Sequence, residues 1–120
     1  MEAVDRIERL VKAAFYEKAI SLCHEVLHQT QSEPYVWYLL AVAHYQREEY
    51  DEAITTSEKS IELQPNGIDA LLLQARILAW GYGAGYSSAV NLYRHILTLS
   101  PGNVEAYIGL ALMRGSPGVD

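Results

Sequence analysis

The chain has 120 residues, of which 50% are hydrophobic and 20% are charged, a composition that is ordinary for one globular domain with one continuous core. The formal net charge of −6 gives little attraction for nucleic acid or for an anionic membrane, so we expect the chain to bind neither. Its single cysteine, Cys23, excludes an internal disulfide. Residues 1–12 lack the apolar stretch of a secretory signal, and no segment approaches the roughly 20 apolar residues that span a bilayer, so we expect a cytoplasmic protein.

A short segment recurs three times along the chain. It reads Tyr-Glu-Lys-Ala-Ile at 16–20, Tyr-Asp-Glu-Ala-Ile at 50–54 and Tyr-Ser-Ser-Ala-Val at 86–90. The alanines of these segments are spaced by 34 and then by 36 residues, and a proline follows the second and the third alanine at a distance of 12 residues. Such self-similarity at a fixed period indicates an array of structural repeats.

Each repeat is predicted to contain two helices. The prolines and glycines of residues 64–67 and 100–103 end the second helices of two repeats, and no strand-like alternation is evident, so the sequence predicts an all-α fold. Stripes with helical spacing mark the first helices: Trp37, Leu40, Ala41 and His44, then Leu71, Ala75 and Leu78, then Tyr107, Leu110 and Ala111.

The period and the order of Trp37, Leu40, Ala41, Ala53 and Pro65 resemble the signature of the tetratricopeptide repeat. The resemblance implies a right-handed α–α superhelical solenoid of antiparallel helix pairs, with about three repeats and one extra C-terminal helix. The expected repeats cover 1–33, 34–67 and 68–103, with a partial repeat at 104–114, all in one domain, followed by a tail at 115–120. A two-residue insertion in the third repeat either lengthens the helix near Trp80 or enlarges the Gly-rich turn at 81–85.

The resemblance also implies a concave groove that is lined by the first helices and that binds a segment of another protein. The stretch 35–45 is apolar or aromatic nearly all round, so both of its sides need cover, either from neighbouring repeats or from a partner. In the groove interpretation, Leu39→Glu or Leu73→Glu abolishes binding and leaves helicity intact. The residues placed in the groove are Tyr35, Tyr38, Leu39, Val42, Tyr45, Asp69, Leu72, Leu73, Arg76, Ala79, Ile108 and Leu112.

Some tetratricopeptide proteins grip a terminal carboxylate with a clamp of Lys, Asn and Arg side chains. At the matching positions this chain has Leu39, Asp69 and Leu73, and Val4 and Glu8 lie near the other two positions. These side chains lack the cationic and amide groups that pair with a carboxylate. The groove is therefore expected to accept an apolar or amphipathic segment, which makes the chain a protein–protein interaction module or scaffold.

The string His24-Glu25-Val26-Leu27-His28 matches the H-E-x-x-H motif of zinc proteases. Its repeat register corresponds to solvent-facing positions of a second helix, and no third ligand follows in the sequence. Catalysis by a zinc hydrolase is therefore the remote alternative, and we expect no enzymatic activity, no resident metal and no cofactor. The spaced glycines of 81–85 lack the strand and the lysine of a phosphate-binding loop, so they indicate a turn.

Three further features have structural interpretations. Cys23 occupies a helix-packing position and is expected to be buried and unreactive. His44 lies on the apolar stripe and is expected to be a hydrogen-bonded core histidine. The acidic run 48–52 is expected to begin a helix, where carboxylates favour the helix dipole, although a basic partner could also use it.

The predicted C-terminal helix, 104–113, carries several apolar side chains and has no second helix after it to cover them. Stacked repeats bury their apolar faces against their neighbours, so an end repeat needs a polar outer face. Either the chain is therefore a fragment of a longer array, or this end pairs with another molecule. The alternative to a peptide-binding module is a structural unit that associates with itself as a homo-oligomer.

Overall fold

A computed structural model describes residues 2–81 and 85–113. The Gly-rich turn lies partly outside the described residues, and the tail at 115–120 lies wholly outside them. The described residues form seven helices and no strand: α1 (Glu2–Lys12), α2 (Tyr16–Gln29), α3 (Pro34–Gln46), α4 (Tyr50–Leu63), α5 (Ile68–Arg76, continued by a π-helical turn over Ile77–Gly81), α6 (Tyr86–Leu99) and α7 (Val104–Met113). The all-α prediction is confirmed.

The chain divides into two compact units, Met1–Pro65 and Asn66–Asp120. The N-terminal unit contains α1 to α4, and the C-terminal unit contains α5 to α7. None of the described helices combines the length and the apolar composition that are needed to cross a bilayer. The predicted boundaries of the repeats stay predictions, although α3, α5 and α7 begin where three of those repeats were expected to begin.

In the N-terminal unit, α3 packs most extensively on α4 and also contacts α1 and α2. Pro34 begins α3, where its missing N–H and fixed φ angle suit the first helical turn. The hydroxyl of Ser60, near the end of α4, donates a 2.8 Å hydrogen bond to the carbonyl of Pro34, so α3 and α4 run antiparallel. One cluster of core residues in this unit consists of Ile7, Cys23, Leu27, Val36, Leu39 and Leu40.

The alanines of the recurring segment, Ala19, Ala53 and Ala89, are all completely buried. A larger side chain at these positions would push the packed helices apart, because protein interiors are close-packed. The recurrence in the sequence therefore reflects a recurring demand for a small side chain where helices approach each other.

In the C-terminal unit, α6 packs on both α5 and α7. A π-helical turn over Ile77–Gly81 continues α5 past Trp80. Residues 82–84 lie outside the described residues, so the choice between a longer helix and a larger turn stays a prediction. Gly85 then lies so close to α5 that an added Cβ would stand 2.6 Å from the carbonyl oxygen of Leu78. The side chain of Asn103 caps α7 by accepting a 2.9 Å hydrogen bond from the amide of Ala106.

Candidate functional site

One face of α3 carries four side chains that are at least partly accessible: Tyr35, Tyr38, Val42 and Tyr45. Tyr35 is 41% exposed, and the other three are half-buried. Their positions follow the i, i+3, i+7 and i+10 spacing that places residues along one side of a helix. We call these four residues the tyrosine surface. All four were predicted as groove residues, and the structure brings them together within the N-terminal unit.

Contacts between side chains hold the tyrosine surface in place. The rings of Tyr35 and Tyr38 stack with centroids 5.9 Å apart and planes inclined by 20°. The hydroxyl of Tyr35 donates a hydrogen bond to the carboxylate of Glu8 on α1. At the other end, Tyr45 packs on the ring of Tyr50 with a centroid distance of 5.9 Å. The result is a row of rings with fixed orientations and an acidic group at one end.

Leu39 was also predicted to line the groove, but the structure places it in the core. It is 4% exposed and belongs to the same cluster as Ile7 and Leu40. Because α3 is apolar nearly all round, the sequence did not show which of its sides is covered by the protein itself. A glutamate at this position would test the fold and not the binding, so the proposed Leu39→Glu experiment is corrected.

The predicted groove residues of α5 are mostly inaccessible as well. Leu72 is 6% exposed, Leu73 is fully buried and Ala79 is 1% exposed, so none of them offers a surface to a partner, and Leu73→Glu also becomes a test of folding. Asp69 is exposed. Arg76 is half-buried, and its Nε and Nη2 atoms donate to the two carboxylate oxygens of Glu105 at 2.5 and 3.1 Å.

This bidentate pair has a consequence for the type of ligand. A guanidinium whose fork is occupied by a carboxylate of its own chain has fewer N–H groups to offer to a carboxylate of a partner. The positive charge of Arg76, which was predicted to line the groove, is thus already compensated by the carboxylate of Glu105 on α7.

The outer side of α7 is the second apolar surface. Val104 is 68% exposed, Tyr107 55%, Ile108 51% and Leu112 63%. We call these four residues the α7 face. Ile108 and Leu112 were predicted to line the groove, whereas Val104 and Tyr107 were not assigned to the groove. The spacing of 104, 108 and 112 at successive i, i+4 steps is the signal that places Val104 beside the other two.

The H-E-x-x-H residues His24, Glu25 and His28 all lie exposed on α2, as their repeat register predicted. Over residues 2–81 and 85–113, no three His, Cys, Asp or Glu side chains are grouped so that they could hold a metal ion. A catalytic zinc site usually needs three protein ligands and an open position. The described residues therefore provide two imidazoles of such a site and no third ligand.

Two buried or half-buried groups behave as the sequence predicted. Cys23 is fully buried, and the loss of hydration raises the pKa of its thiol to about 12, which removes the reactive thiolate at neutral pH. The Nδ1 atom of His44 lies 2.8 Å from Oε1 of Glu49 in the turn between α3 and α4. This hydrogen bond, together with Arg47 beside it, lowers the pKa of the Glu49 carboxyl below its ordinary value.

The acidic run that contains Glu49 therefore does not act as one exposed cluster. Glu49 turns toward His44 and Arg47, while Asp51 and Glu52 lie exposed in the first turn of α4, where they favour the helix dipole. Glu48 has a φ of 62° and closes the turn after α3, a backbone conformation that Ala14 repeats after α1 with a φ of 65°.

Comparison with known proteins supports the repeat assignment. The second tetratricopeptide domain of human RPAP3, solved with the HSP70 peptide SGPTIEEVD, superposes with a TM-score of 0.82 at 22% identity, covering 93% of this chain and 92% of that domain. The first such domain of Spaghetti (RPAP3), bound to the HSP90 peptide SRMEEVD, gives 0.85 at 17% identity, covering 92% and 86%. The Arabidopsis OM64 domain gives 0.83 at 20% identity, covering 95% and 96%.

These structures share the fold of this chain, and their low identity carries no residue-level information on ligands. A sequence search of curated proteins found no match. The tetratricopeptide repeat family model matches residues 10–77, which is more than half of the chain and includes the recurring segments at 16–20 and 50–54. The chain belongs to the tetratricopeptide repeat family.

Proposed function

We propose that this chain is a protein-interaction module that binds an apolar or amphipathic segment of a partner protein on the tyrosine surface. The observation that carries the proposal is the row of partly exposed rings on one face of α3. Tyrosine supplies a large contact area with little conformational entropy to lose, and it is enriched at the centres of protein interfaces. The stacking of Tyr35 on Tyr38 fixes both rings before a ligand arrives, which lowers the entropic cost of binding.

The structural neighbours support a peptide as the ligand. Two of them were solved with peptides of HSP70 and HSP90, so the fold is suited to holding a peptide. Both of those peptides contain the acidic sequence EEVD. We propose that this chain prefers a different class of segment, because the charges beside the candidate surfaces are unfavourable for an acidic ligand.

Two observations argue for that difference. The carboxylate of Glu8 lies at the end of the tyrosine surface and accepts the Tyr35 hydroxyl. The chain as a whole has a net charge of −6, which repels an acidic peptide at low ionic strength.

The test is a selection of ligands from a phage library of random peptides of about 16 residues, long enough for four helical turns. We expect the selected peptides to carry apolar or aromatic residues at i, i+3 and i+4 spacing and few carboxylates. The peptide SRMEEVD, titrated in parallel by fluorescence anisotropy, is expected to bind at least tenfold more weakly than a selected peptide.

Two variants connect the selected peptide to the surface. Tyr38→Ala should weaken binding by roughly tenfold or more, as expected for a central aromatic side chain at an interface. Leu63→Ala is the matched control, because Leu63 is 43% exposed but lines a separate hollow beside Trp37 and Lys59. A selection that enriches no peptide, or one whose peptides end in acidic residues and bind equally well to both variants, would contradict the proposal.

A further inference from the structure

Two histidines of α2, His24 and His28, stand four residues apart, and both side chains are exposed. We call these two residues the histidine pair. An i, i+4 spacing places two side chains on the same face of a helix, with their Cβ atoms about 5–6 Å apart. Among the described residues, neither ring of the pair has a hydrogen-bonding or ion-pair partner. The nitrogen atoms of both rings are therefore available to a ligand that can bridge one helical turn.

The packing of α2 fixes the spacing of the histidine pair. Cys23 and Leu27, which directly precede the two histidines in the sequence, are buried and belong to a core cluster of the N-terminal unit. The helix runs unbroken over Tyr16–Gln29. The backbone that carries the pair is thus anchored in the core on one side and exposed on the other. A ligand that bridges both rings has little backbone entropy to remove when it binds.

The charges around the histidine pair suit a cation. Between Lys18 and Arg47 the chain has no lysine or arginine, and Glu25 lies within this stretch. Lys59 of α4 lines a hollow with residues 31–32, past the end of α2. A divalent cation bound to the pair therefore meets no lysine or arginine of its own helix within one turn on either side, and the net charge of −6 favours its approach.

We propose that the histidine pair binds one divalent late transition-metal ion, Ni²⁺, Cu²⁺ or Zn²⁺, through one nitrogen of each ring, with water completing the coordination shell. Imidazole suits these metals, whereas Mg²⁺ and Ca²⁺ take oxygen ligands. Metal–nitrogen bonds of about 2.0–2.1 Å need the two ring nitrogens roughly 3 Å apart, which two exposed side chains one turn apart reach by rotation about χ1 and χ2. Cu²⁺ binds most tightly of the three, in line with the general order of affinities for nitrogen ligands.

This site differs from the catalytic zinc site of the proteases that share the H-E-x-x-H motif. Two protein ligands form a chelate that is weaker than a structural or catalytic site with three or four, so the ion binds reversibly. Glu25 of the motif lines a hollow with Arg6 and Lys18, whose positive charges attract its carboxylate. The proposal is therefore for reversible binding of an ion and not for the resident metal of a hydrolase.

Isothermal titration calorimetry of the chain with NiCl₂, in a buffer that does not bind metal ions, tests the proposal. His28→Gln removes one ring of the pair and should raise the dissociation constant at least about tenfold, because the second ring of a chelate binds at a high effective concentration. His95→Gln removes an exposed histidine of α6 that has no second histidine on its helix, and it should bind Ni²⁺ like the wild type. Tyr38→Ala should also bind Ni²⁺ like the wild type, because the proposal does not rest on the proposed function.

The sharpest control exchanges two neighbouring exposed residues. The double variant His28→Gln with Gln29→His keeps the composition, the charge and the number of exposed histidines, but its i, i+5 spacing points the two rings about 140° apart around the helix. Its affinity for Ni²⁺ should fall to that of His28→Gln. Ni²⁺ should also raise the urea midpoint of the wild type and not that of the double variant, because the folded helix alone holds the rings at the chelating distance. A wild-type chain that binds no Ni²⁺, or a double variant that binds as tightly as the wild type, would overturn the proposal.

Discussion

The packing of α6 against α7 predicts that Gly109 cannot carry even a methyl group. A Cβ added at Gly109 would lie 2.4 Å from Cζ of Tyr93 and 2.6 and 2.7 Å from two further ring atoms. Non-bonded carbon atoms in favourable contact stand about 3.5–4.0 Å apart, so the added Cβ would overlap the Tyr93 ring by roughly 1 Å. Tyr93 is 1% exposed, so its ring is packed inside the core.

Two opposing effects decide the sign of Gly109→Ala. Alanine favours the helix over glycine by about 1 kcal/mol. Overpacking in a close-packed core costs about 1–3 kcal/mol, and the short distance to a buried ring puts this site at the upper end of that range. We therefore expect the free energy of unfolding to fall by about 1–2 kcal/mol, measured by urea denaturation followed by circular dichroism.

Gly102→Ala is the matched control for this prediction. Gly102 lies in the turn before α7, and an added Cβ would meet nothing within 4 Å. The free energy of unfolding of the Gly102→Ala chain should equal that of the wild type or exceed it by up to about 1 kcal/mol, because alanine reduces the entropy of the unfolded chain. In a Tyr93→Leu background, Gly109→Ala should cost much less. A Gly109→Ala chain as stable as the wild type would refute the reasoning.

Three other predictions follow from the N-terminal unit. Leu39→Ala should lower the free energy of unfolding by about 2–5 kcal/mol, and Leu39→Glu should abolish cooperative unfolding, because each disrupts a side chain that is 4% exposed in the core. Glu49→Gln should destabilise the chain at neutral pH, and the difference should vanish in acid as the pH falls through the lowered pKa of Glu49, because a depressed carboxyl pKa stabilises the fold above it. Cys23 should react with a thiol reagent at pH 8 at least tenfold more slowly in the native chain than in urea, because its pKa is about 12; equal rates would contradict its burial.

The features that the sequence predicted well are those that recur at a fixed period. The three buried alanines, the turns marked by proline and the buried Cys23 each follow from a register that repeats. His44 was expected to be a hydrogen-bonded histidine, and its hydrogen bond with Glu49, five residues later in the same turn, confirms this. Local patterns of this kind need no knowledge of how distant helices meet.

The features that the sequence did not predict depend on contacts between distant residues. Helices α3 and α5 are apolar on more than one side, so their pattern alone could not separate accessible Tyr35 and Tyr38 from buried Leu39 and Leu73. The pairing of Arg76 with Glu105 joins residues that are 29 positions apart. Such a pair becomes visible only in the folded structure, where both helices pack on α6.

The central claim is that the tyrosine surface binds a segment of another protein. The most direct test is to titrate a selected, unlabelled peptide into the ¹⁵N-labelled chain and to follow the backbone amide shifts. The account predicts the largest changes at Tyr35, Tyr38, Val42 and Tyr45 and at Glu8 beside them, with smaller changes elsewhere. Changes confined to the α7 face, or to the exposed side of α2 around His24, would contradict it.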